Sequence, residues 1–359
     1  MKRFAFIMHP LDASDVARKY RFARWLPDRL VEFVMARTGP KYISEITGIR
    51  SATGAETQGW FVGCPLTSRQ FVTWNERRKV SSIVETAQLA QSLGADIVGL
   101  GAFTAIVGNG GIDVAREVDI AVTTGNSYTV ATAVEGATRA AALMDMDLPS
   151  ATAVVLGATG SIGRVCAHLL MDQVGRLILV ARGRERLEQI AAELGSSAQV
   201  EVSTDIAEAV PRADVVIAVT SSLETIVEPE MLRPGAVVCD VARPRDVSVR
   251  VARERDDVLV IEGGAVAVPG DVQFHFNFGF PPGLAYACMA ETMILALEER
   301  IENYSLGKDL ELARVQEIAR LADKHGFGLA GFRSFERAVD EQTIARIRDR
   351  AQARRSAAD

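Results

Sequence analysis

The sequence predicts an α/β protein built from two domains. The chain has 359 residues, about twice a typical domain of ~150, so a single core is not expected. Residues 150–283 alternate short apolar runs with helical patterns, which is typical of a parallel sheet with helices on both faces. Residues 1–125 mix strand and helix patterns less regularly, which indicates a second α/β domain.

The domain boundaries follow from where these patterns change. We predict an α/β domain at 1–125, a connecting helix at 126–149, the parallel-sheet domain at 150–283, and a helical segment at 284–359. The run Phe280-Pro281-Pro282-Gly283 interrupts the chain before the last segment. That segment is expected to pack back on the first domain.

Local start and stop signals place the elements within these regions, and Gly39-Pro40 ends the first helix. The elements predicted in the first domain are a strand at 4–8, a helix at 13–36, a hairpin at 41–64, a basic helix at 68–93, a strand from 96 that runs into a glycine-rich loop, a strand at 119–122 and an alanine-rich helix to 146. Those predicted afterwards are strands at 151–156, 177–181, 198–202, 214–219, 236–240 and 258–261, then helices at 284–303, 309–325 and 334–354.

Charge and composition exclude several classes of function. The 40 basic and 46 acidic residues give a net charge of −6, which argues against a nucleic-acid-binding face. The longest nearly charge-free stretch, 97–112, is too short to span a bilayer, and the amino terminus lacks the apolar core of a signal peptide. The four cysteines are widely spaced, so neither a disulfide framework nor a metal site is expected. We therefore expect a soluble, cytoplasmic protein.

A glycine-rich turn follows the first strand of the parallel-sheet domain. The turn consists of Gly157, Ala158, Thr159, Gly160, Ser161, Ile162 and Gly163. Glycines between a strand and a helix let backbone N–H groups approach a pyrophosphate, which the helix N-terminus stabilises. A purely structural turn is the alternative. The strand–turn–helix context favours a dinucleotide site, and hence a Rossmann domain.

The residues after the second strand of this domain indicate which dinucleotide is bound. NAD-specific domains usually place a carboxylate there, whereas this chain has Arg182 and Arg184. Two guanidinium groups suit a 2′-phosphate, so we predict NADPH; the alternative for Arg184 is a solvated residue at a helix start. Thr220 follows the fourth strand, where ligands bind, and is predicted to contact the cofactor. Asp240 and Gly263-Gly264 fit either a cofactor contact or a simple turn.

Cys288 is the candidate nucleophile. It lies one turn into the helix after Pro281-Pro282-Gly283, at a predicted domain boundary, and N-terminal helix turns favour the reactive thiolate. Cys64, Cys166 and Cys239 are expected to be inert buried thiols. From the pattern alone, a nucleophile and a structural thiol remain equally open for Cys288.

Several segments resemble the long-chain fatty acyl-[acyl carrier protein] reductase family of the cyanobacterial alkane pathway. They are Glu45-Ile46-Thr47, 51–54, 100–104, 123–126, 157–160, 181–182, 285–293, 303–307 and 325–327. The resemblance extends over roughly residues 40–330. The chain departs from the family pattern at Ala102 and Gly183, in the phenylalanine-rich segment 270–283, and after about residue 330.

The resemblance implies that Cys288 attacks an acyl thioester, expels the carrier thiol and holds the acyl group. NADPH then reduces this enzyme thioester to a fatty aldehyde. The substrate-binding residues implied are Gly101, Phe103, Thr104 and Asn126. The partners implied are an acyl carrier protein bearing a long-chain acyl group, or acyl-CoA, and an enzyme that consumes the aldehyde.

Other features have two interpretations. Glu291 shares a helix face with Cys288 and assists protonation or, as we favour, is a surface or ion-paired residue. The apolar loop 97–108 and the phenylalanines of 274–280 suit either an acyl chain or ordinary core packing. A docking surface for an acidic carrier, or a solvated helix face, is predicted for two basic clusters: Arg69, Arg77, Arg78 and Lys79, and Arg18, Lys19, Arg21 and Arg24.

Two rival functions remain open. A shikimate-dehydrogenase-like enzyme acting on a small hydroxy or oxo acid needs a Lys–Asp pair in the first domain, for which Lys41 and Asp96 are the candidates. A non-catalytic NADPH sensor needs only the dinucleotide site.

Overall fold

The structure is a computed structural model that describes residues 1–13, 15–16, 25–194, 199–242 and 244–358. Its strands are β1 (Arg3–Met8), β2 (Lys41–Arg50), β3 (Glu56–Gly63), β4 (Ile97–Gly99), β5 (Ala121–Thr123), β6 (Thr152–Leu156), β7 (Arg176–Val180), β8 (Val200–Ser203), β9 (Val215–Ala218), β10 (Val237–Asp240), β11 (Leu259–Glu262), β12 (Ala265–Ala267), β13 (Gly270–Gln273), β14 (Leu284–Tyr286), β15 (Gly328–Leu329), β16 (Phe332–Ser334) and β17 (Arg337–Val339).

The helices cover the remaining regular regions. They are α1 (Asp28–Thr38), α2 (Ser68–Thr73), α3 (Glu76–Ser92), α4 (Val107–Gly110), α5 (Ile112–Ala115), α6 (Asn126–Leu143), α7 (Ser161–Met171), α8 (Arg184–Glu193), α9 (Ile206–Ala209), α10 (Val249–Glu254), α11 (Ala287–Leu297), α12 (Leu312–His325) and α13 (Glu341–Ala358). Among the described helices, none has the length and apolar character needed to cross a bilayer.

The chain forms two compact units. The first comprises Met1–Tyr128 and Val266–Gly328, and the second comprises Thr129–Ala265 and Leu329–Asp359. The predicted boundary between residues 283 and 284 does not separate these units, because Val266–Gly328 lies within the first unit. Residues 270–273 join the first unit because β13 pairs antiparallel with β2. The end of α13 joins the second because Arg350 and Arg354 each bond to Asp256.

The first unit is built on a six-stranded sheet in the order β13-β2-β3-β1-β4-β5. The strands β3, β1, β4 and β5 run parallel to one another, β2 runs antiparallel to β3, and β13 runs antiparallel to β2. Helix α11 packs directly on this sheet at Gly99, where a Cβ atom would lie 2.1 Å from Oγ1 of Thr292. Only glycine permits so close an approach, which fixes the helix over β4.

The second unit is a Rossmann domain, as predicted. Its sheet has the order β11-β10-β9-β6-β7-β8 with every pair parallel, so the strand order reverses between β9 and β6. Ligands of such sheets bind at the carboxyl ends of the strands beside this reversal. All of the predicted strands of this domain are present within one or two residues.

Local predictions differ from the structure mainly at helix ends. Of the predicted helix at 13–36, the structure shows α1 from Asp28, after Pro27; residue 14 and residues 17–24, which include the cluster Arg18, Lys19, Arg21 and Arg24, lie outside the described residues. The predicted helix at 284–303 begins only at Ala287, because β14 precedes it. The last helix begins at Glu341, where the Asp340 carboxylate accepts the N–H of Thr343 at 2.7 Å.

Candidate active site

The carboxyl ends of β1, β4 and β5 gather the candidate residues of the first unit. These strands are parallel neighbours, so the segments that follow them lie at one edge of the sheet. His9 follows β1, the turn 101–104 follows β4, and the segment 124–126 follows β5. The edge is therefore where the structure brings the predicted residues of this unit together.

Cys288 is held against the segment after β5. It is the second residue of α11 and is partly exposed. Gly125 has a φ of +74°, and a Cβ atom there would lie 2.3 Å from both Cα and Cβ of Cys288. A side chain at position 125 would thus displace the cysteine. The contact also places the N-terminus of α11, with its partial positive charge, at the carboxyl edge of the sheet.

Cys288 lies in the first turn of α11, and a helix N-terminus stabilises negative charge beside it. The N-cap residue Tyr286 makes no capping hydrogen bond through its side chain. The first N–H groups of a helix have no partner within the helix. In this position they can stabilise a thiolate, or an oxyanion that develops on a carbonyl bound at the thiol.

Glu291 lies one helical turn after Cys288 in α11 and is fully buried. Its Oε1 accepts hydrogen bonds from Oγ1 of Thr123 at 2.5 Å and from Oγ of Ser305 at 2.8 Å. Its Oε2 accepts the N–H of Tyr128 at 2.8 Å. Burial raises the pKa of Glu291, although these hydrogen bonds act in the opposite direction. The prediction of a surface or ion-paired glutamate is therefore wrong.

A second set of hydrogen bonds fixes the same segment. Oγ1 of Thr124 donates to the carbonyl of Ser305 at 2.5 Å, and the N–H of Ser127 donates to Oγ of Ser305 at 3.2 Å. Together with Glu291, Ser305 ties the 123–128 segment to α11. The sequence offered no signal for this network, because its hydrogen bonds join the 123–128 segment to residues more than 160 positions away.

The turn 101–104 is internally satisfied. Oγ1 of Thr104 donates to the carbonyl of Gly101 at 2.8 Å and accepts its N–H at 2.9 Å, and the Thr104 side chain is fully buried. Phe103 is 5% exposed and stacks on Phe71 with ring centroids 6.1 Å apart. The hydroxyl proton of Thr104 is thus committed within the turn. Asn126 is the first residue of α6 and directly follows Gly125.

Two histidines have structural roles. Burial lowers the pKa of His9 to about 4, and its Nε2 accepts the N–H of Phe103 at 3.3 Å, while Nδ1 lies 3.0 Å from the carbonyl of Pro10. His325 is 2% exposed, with Nδ1 2.8 Å from Oγ of Ser51 and Nε2 2.8 Å from a carboxylate oxygen of Glu298. Both rings have both nitrogens engaged.

The glycine turn of the second unit has the shape that a dinucleotide requires. Gly157 has a φ of +83°, and a Cβ atom on Gly163 would lie 2.3 Å from the carbonyl oxygen of Gly157. The N–H of Gly160 donates to that same carbonyl at 2.9 Å, and α7 starts at the next residue without a side-chain cap. The turn is thus closed by glycines and presents a helix N-terminus, which fits a pyrophosphate. Ala158 is buried beneath it.

The two predicted arginines differ in their surroundings. Arg184 is the first residue of α8 and pairs with Glu188, Nε to Oε1, at 3.0 Å. Arg182 is exposed just after β7 and forms no ion pair with any residue that the structure describes. Arg182 is therefore the guanidinium available to a 2′-phosphate at the end of β7.

Polar side chains after β9 and β10 are bonded to each other. Thr220 donates its N–H to Oδ2 of Asp246 at 2.9 Å and its hydroxyl to Oδ1 at 2.5 Å. Asp246 is fully buried, and this burial raises its pKa. Asp240 accepts the N–H of Ala242 at 3.1 Å and that of Val247 at 3.1 Å. These carboxylates shape the loop between β10 and α10, a role that sequence reasoning did not assign to Asp246.

In the basic cluster of Arg69, Arg77, Arg78 and Lys79, the first and last residues form ion pairs. Arg69 pairs with Glu32, and Nζ of Lys79 lies 2.7 Å from a carboxylate oxygen of Glu76. The guanidinium of Arg78 lies over the Trp74 ring, 3.7 Å from its centroid. Arg77 and Arg78 are exposed at the start of α3.

The two candidates for the Lys–Asp pair of a shikimate-dehydrogenase-like enzyme do not meet. Lys41 pairs with Gly63 at the carboxyl end of β3, whereas Asp96 precedes β4 and accepts the N–H of Arg3 at the amino end of β1. The two residues therefore lie at opposite ends of the strands. Asp96 instead pairs with Lys2 at 3.0 Å.

Comparison with known proteins extends this description. The shikimate / quinate 5-dehydrogenase family model matches residues 138–262. The aminotransferase PigE of a Serratia species is 30% identical over 96% of this chain, but the chain spans only 42% of that protein. The long-chain acyl-[acyl-carrier-protein] reductase of Synechococcus elongatus is 30% identical over 88% of this chain and 94% of its own length.

Solved structures show only partial likeness. Glutamyl-tRNA reductase from Methanopyrus kandleri matches 78% of this chain and 55% of its own, with 17% identity and a TM-score of 0.32. The transhydrogenase from Sinorhizobium meliloti matches 47% of this chain and 61% of its own, with 17% identity and a TM-score of 0.32. Scores this low carry no inference about function.

The matched segment 138–262 contains the glycine turn, Arg182 and Thr220. With the Rossmann strand order and the fit of the glycine turn, it makes the second unit an NADP(H)-binding domain. The protein is an NAD(P)-dependent oxidoreductase. The first unit lies outside this match.

Proposed function

The chain belongs to the long-chain acyl-[acyl-carrier-protein] reductase family, and on that premise we propose that it reduces long-chain acyl thioesters to fatty aldehydes with NADPH. The observation that carries the proposal is the position of Cys288, a partly exposed thiol at the N-terminus of α11, pressed against Gly125. Purified protein with NADPH and palmitoyl-carrier protein should yield extractable aldehyde. Cofactor binding without aldehyde from any acyl thioester would contradict the proposal.

The first half of the reaction is an acyl transfer to the protein. The Cys288 thiolate attacks the thioester carbonyl carbon, the bond from that carbon to the carrier sulfur breaks, and the carrier leaves as a thiolate that takes up a proton. N–H groups of the first turn of α11 stabilise the oxyanion that forms during this exchange. Gly125 and the hydrogen bonds of Glu291 keep Cys288 at this helix end.

The second half releases the aldehyde from Cys288. When bound, NADPH supplies the hydride that this reduction needs. The Gly157–Gly163 turn and the N-terminus of α7 hold the pyrophosphate, and Arg182 binds the 2′-phosphate. The carbon–sulfur bond to Cys288 then breaks, and the departing thiolate is again stabilised by the N-terminus of α11.

The proposal includes the remaining partners. The acyl donor is an acyl carrier protein or acyl-CoA, the aldehyde passes to an enzyme that consumes it, and the reaction takes place in the cytoplasm. The shikimate-dehydrogenase-like alternative has no support in the first unit, since Lys41 and Asp96 lie at opposite edges of the sheet. Acylation of Cys288 distinguishes the proposed enzyme from a non-catalytic NADPH sensor, in which Cys288 would not be acylated.

Arg182→Ala should raise the KM for NADPH at least about tenfold and leave the KM for NADH nearly unchanged, because a hydrogen bond to a charged group contributes about 1.5–3 kcal/mol. Steady-state kinetics with both cofactors measures this. Arg186→Ala is the matched control, since Arg186 is exposed on the helix that follows and bonds to Gln189 at 3.1 Å. Equal use of NADPH and NADH by the unaltered protein would remove the assigned role of Arg182.

The double variant Arg77→Glu and Arg78→Glu should lower kcat/KM for palmitoyl-carrier protein about tenfold while sparing palmitoyl-CoA. Carrier proteins are acidic, and exposed charges at an interface act mainly on the association rate and its salt dependence. Arg116→Glu is the control, because it reverses the charge of an exposed residue that pairs with Asp113. An equal loss with both donors would show that the substitutions damage the acyl site or the fold instead.

A further inference from the structure

Residues 274–286, which we name the aromatic loop, connect β13 to α11. Their rings form a continuous series that ends two residues before Cys288. The Phe280 and Tyr286 centroids are 4.4 Å apart, those of Phe278 and Phe280 are 5.8 Å apart, and those of Phe274 and Phe278 are 5.0 Å apart. An unbroken aromatic surface thus leads away from the nucleophile.

The far end of the aromatic loop is anchored in the core. Phe61 of β3 is fully buried and stacks on Phe274 at 5.8 Å, and its ring also meets Phe278 at 5.4 Å. The carbonyl of Phe274 accepts the hydroxyl of Ser44 at 2.8 Å. These contacts fix where the aromatic surface starts, over the sheet of the first unit.

The end near Cys288 is left partly open. Phe274 is 8% exposed, whereas Phe276, Phe278, Phe280 and Tyr286 are only half-buried. Cβ atoms placed on Gly279 and Gly283 would have no neighbour within 4 Å. Apolar surface left in water is unfavourable by about 25 cal/mol per Å², and contiguous patches of it mark binding sites.

The chemistry of the segment selects an uncharged ligand. From position 272 to position 290 the sequence contains no aspartate, glutamate, lysine or arginine. The turn 101–104 does not offer a comparable surface, because Phe103 is buried against Phe71 and Thr104 is bonded to Gly101. Of the two segments that suited an acyl chain from the sequence, the aromatic loop is the one with a series of partly exposed rings that ends two residues before Cys288.

We propose that the aromatic loop is the acyl-binding site of this protein. The hydrocarbon chain of the substrate lies along the rings from Tyr286 toward Phe61, with its thioester carbonyl at Cys288. Phe278 and Phe280, which lie between those ends, set the preference for long chains. The inference rests on the proposed function and adds the residues that select the acyl group.

Phe278→Ala and Phe280→Ala test the site by chain length. Each should lower kcat/KM for palmitoyl-CoA at least about tenfold, because several buried methylene groups lose their partners at about 0.8 kcal/mol each. Butyryl-CoA, whose acyl chain is much shorter, should react with each variant within about twofold of its rate with the unaltered protein, and Phe278→Leu should restore most of the palmitoyl rate. Phe33→Ala, at an exposed ring on α1, is the control.

A binding measurement separates this inference from the reaction. In the Cys288→Ala protein, calorimetry should show palmitoyl-CoA binding at least about tenfold more tightly than butyryl-CoA, and Phe280→Ala should remove that preference. If the Cys288→Ala protein shows this preference but the unaltered protein makes no aldehyde with NADPH, the proposed function is overturned and the site is kept. Equal losses for long and short chains, or no loss for either, would overturn the site.

Discussion

Cys288→Ala should abolish both acylation of the protein and release of aldehyde. Without the thiol there is no group to accept the acyl chain, and the two-step displacement has no first step. Unaltered protein incubated with palmitoyl-CoA and no NADPH should become heavier by one acyl group in the intact mass spectrum. Adding NADPH should then discharge the acyl group as aldehyde, and the alanine variant should do neither.

NADPH binding by the Cys288→Ala protein should be unchanged, because the glycine turn at Gly157–Gly163 belongs to the second unit. Cys288→Ser should be nearly inactive, since an alcohol is hardly ionised at neutral pH. A Cys288→Ala protein that still released aldehyde at a near-normal rate would contradict the covalent mechanism. Hydride would then have to reach the thioester directly.

The other three cysteines serve as controls in the same experiment. Cys64, Cys166 and Cys239 are buried, and burial raises the pKa of Cys166 to about 12 and that of Cys64 above its usual range. Thiols in this environment stay protonated and unreactive at neutral pH. Their alanine variants should lose stability at most, with acylation intact.

The second unit could be predicted from sequence because its signals are local. Each strand is a short apolar run followed by a helix, and the glycine turn sits between β6 and α7, so neighbouring residues carry the whole pattern. The unit boundaries could not, because they depend on distant pairing. Strand β13 joins β2 through partners such as Gly270 and Ile49, which no local window brings together.

The same division applies to the candidate site. The break at residues 281–283 and the helix after it place Cys288 near a helix start from sequence alone, although β14 delays that start to Ala287. The environment of Glu291 could not be predicted in this way. A glutamate in a helix suggests a solvated surface, and only the fold brings Thr123 and Tyr128 to its carboxylate.

Glu291→Ala should therefore have the second largest effect, on both stability and rate. It leaves the N–H of Tyr128 and the hydroxyl of Thr123 without the Glu291 acceptor, whereas the hydroxyl of Ser305 keeps Oγ of Ser127 as a partner at 2.7 Å, and the loss costs about 2–4 kcal/mol in the free energy of unfolding. Release of the segment 123–128 from α11 also frees Cys288 to move, and a displacement of about 1 Å lowers a rate about a hundredfold. Urea unfolding and the acylation rate of Cys288 measure the two effects.

Glu291→Gln is the matched control, because an amide preserves the geometry. Its carbonyl can accept the N–H of Tyr128, and its NH₂ group can donate to hydroxyls that rotate to accept. The acylation rate should then stay within a few-fold of the unaltered protein. An alanine variant that folds and acylates at the normal rate would show that Glu291 does not position Cys288.

The pH dependence of stability distinguishes the carboxyl group of Glu291 from its amide replacement. Burial raises the folded-state pKa of Glu291 above the value of about 4.3 in the unfolded chain. A raised pKa means that the group's stabilising contribution is complete below about pH 4 and is lost as the pH rises through the folded-state value. The free energy of unfolding of the unaltered protein should therefore fall relative to that of Glu291→Gln as the pH increases above about 4. A difference between the two proteins that stays constant across this range would show that the buried carboxyl group ionises with an ordinary pKa, and that its hydrogen bonds offset its burial.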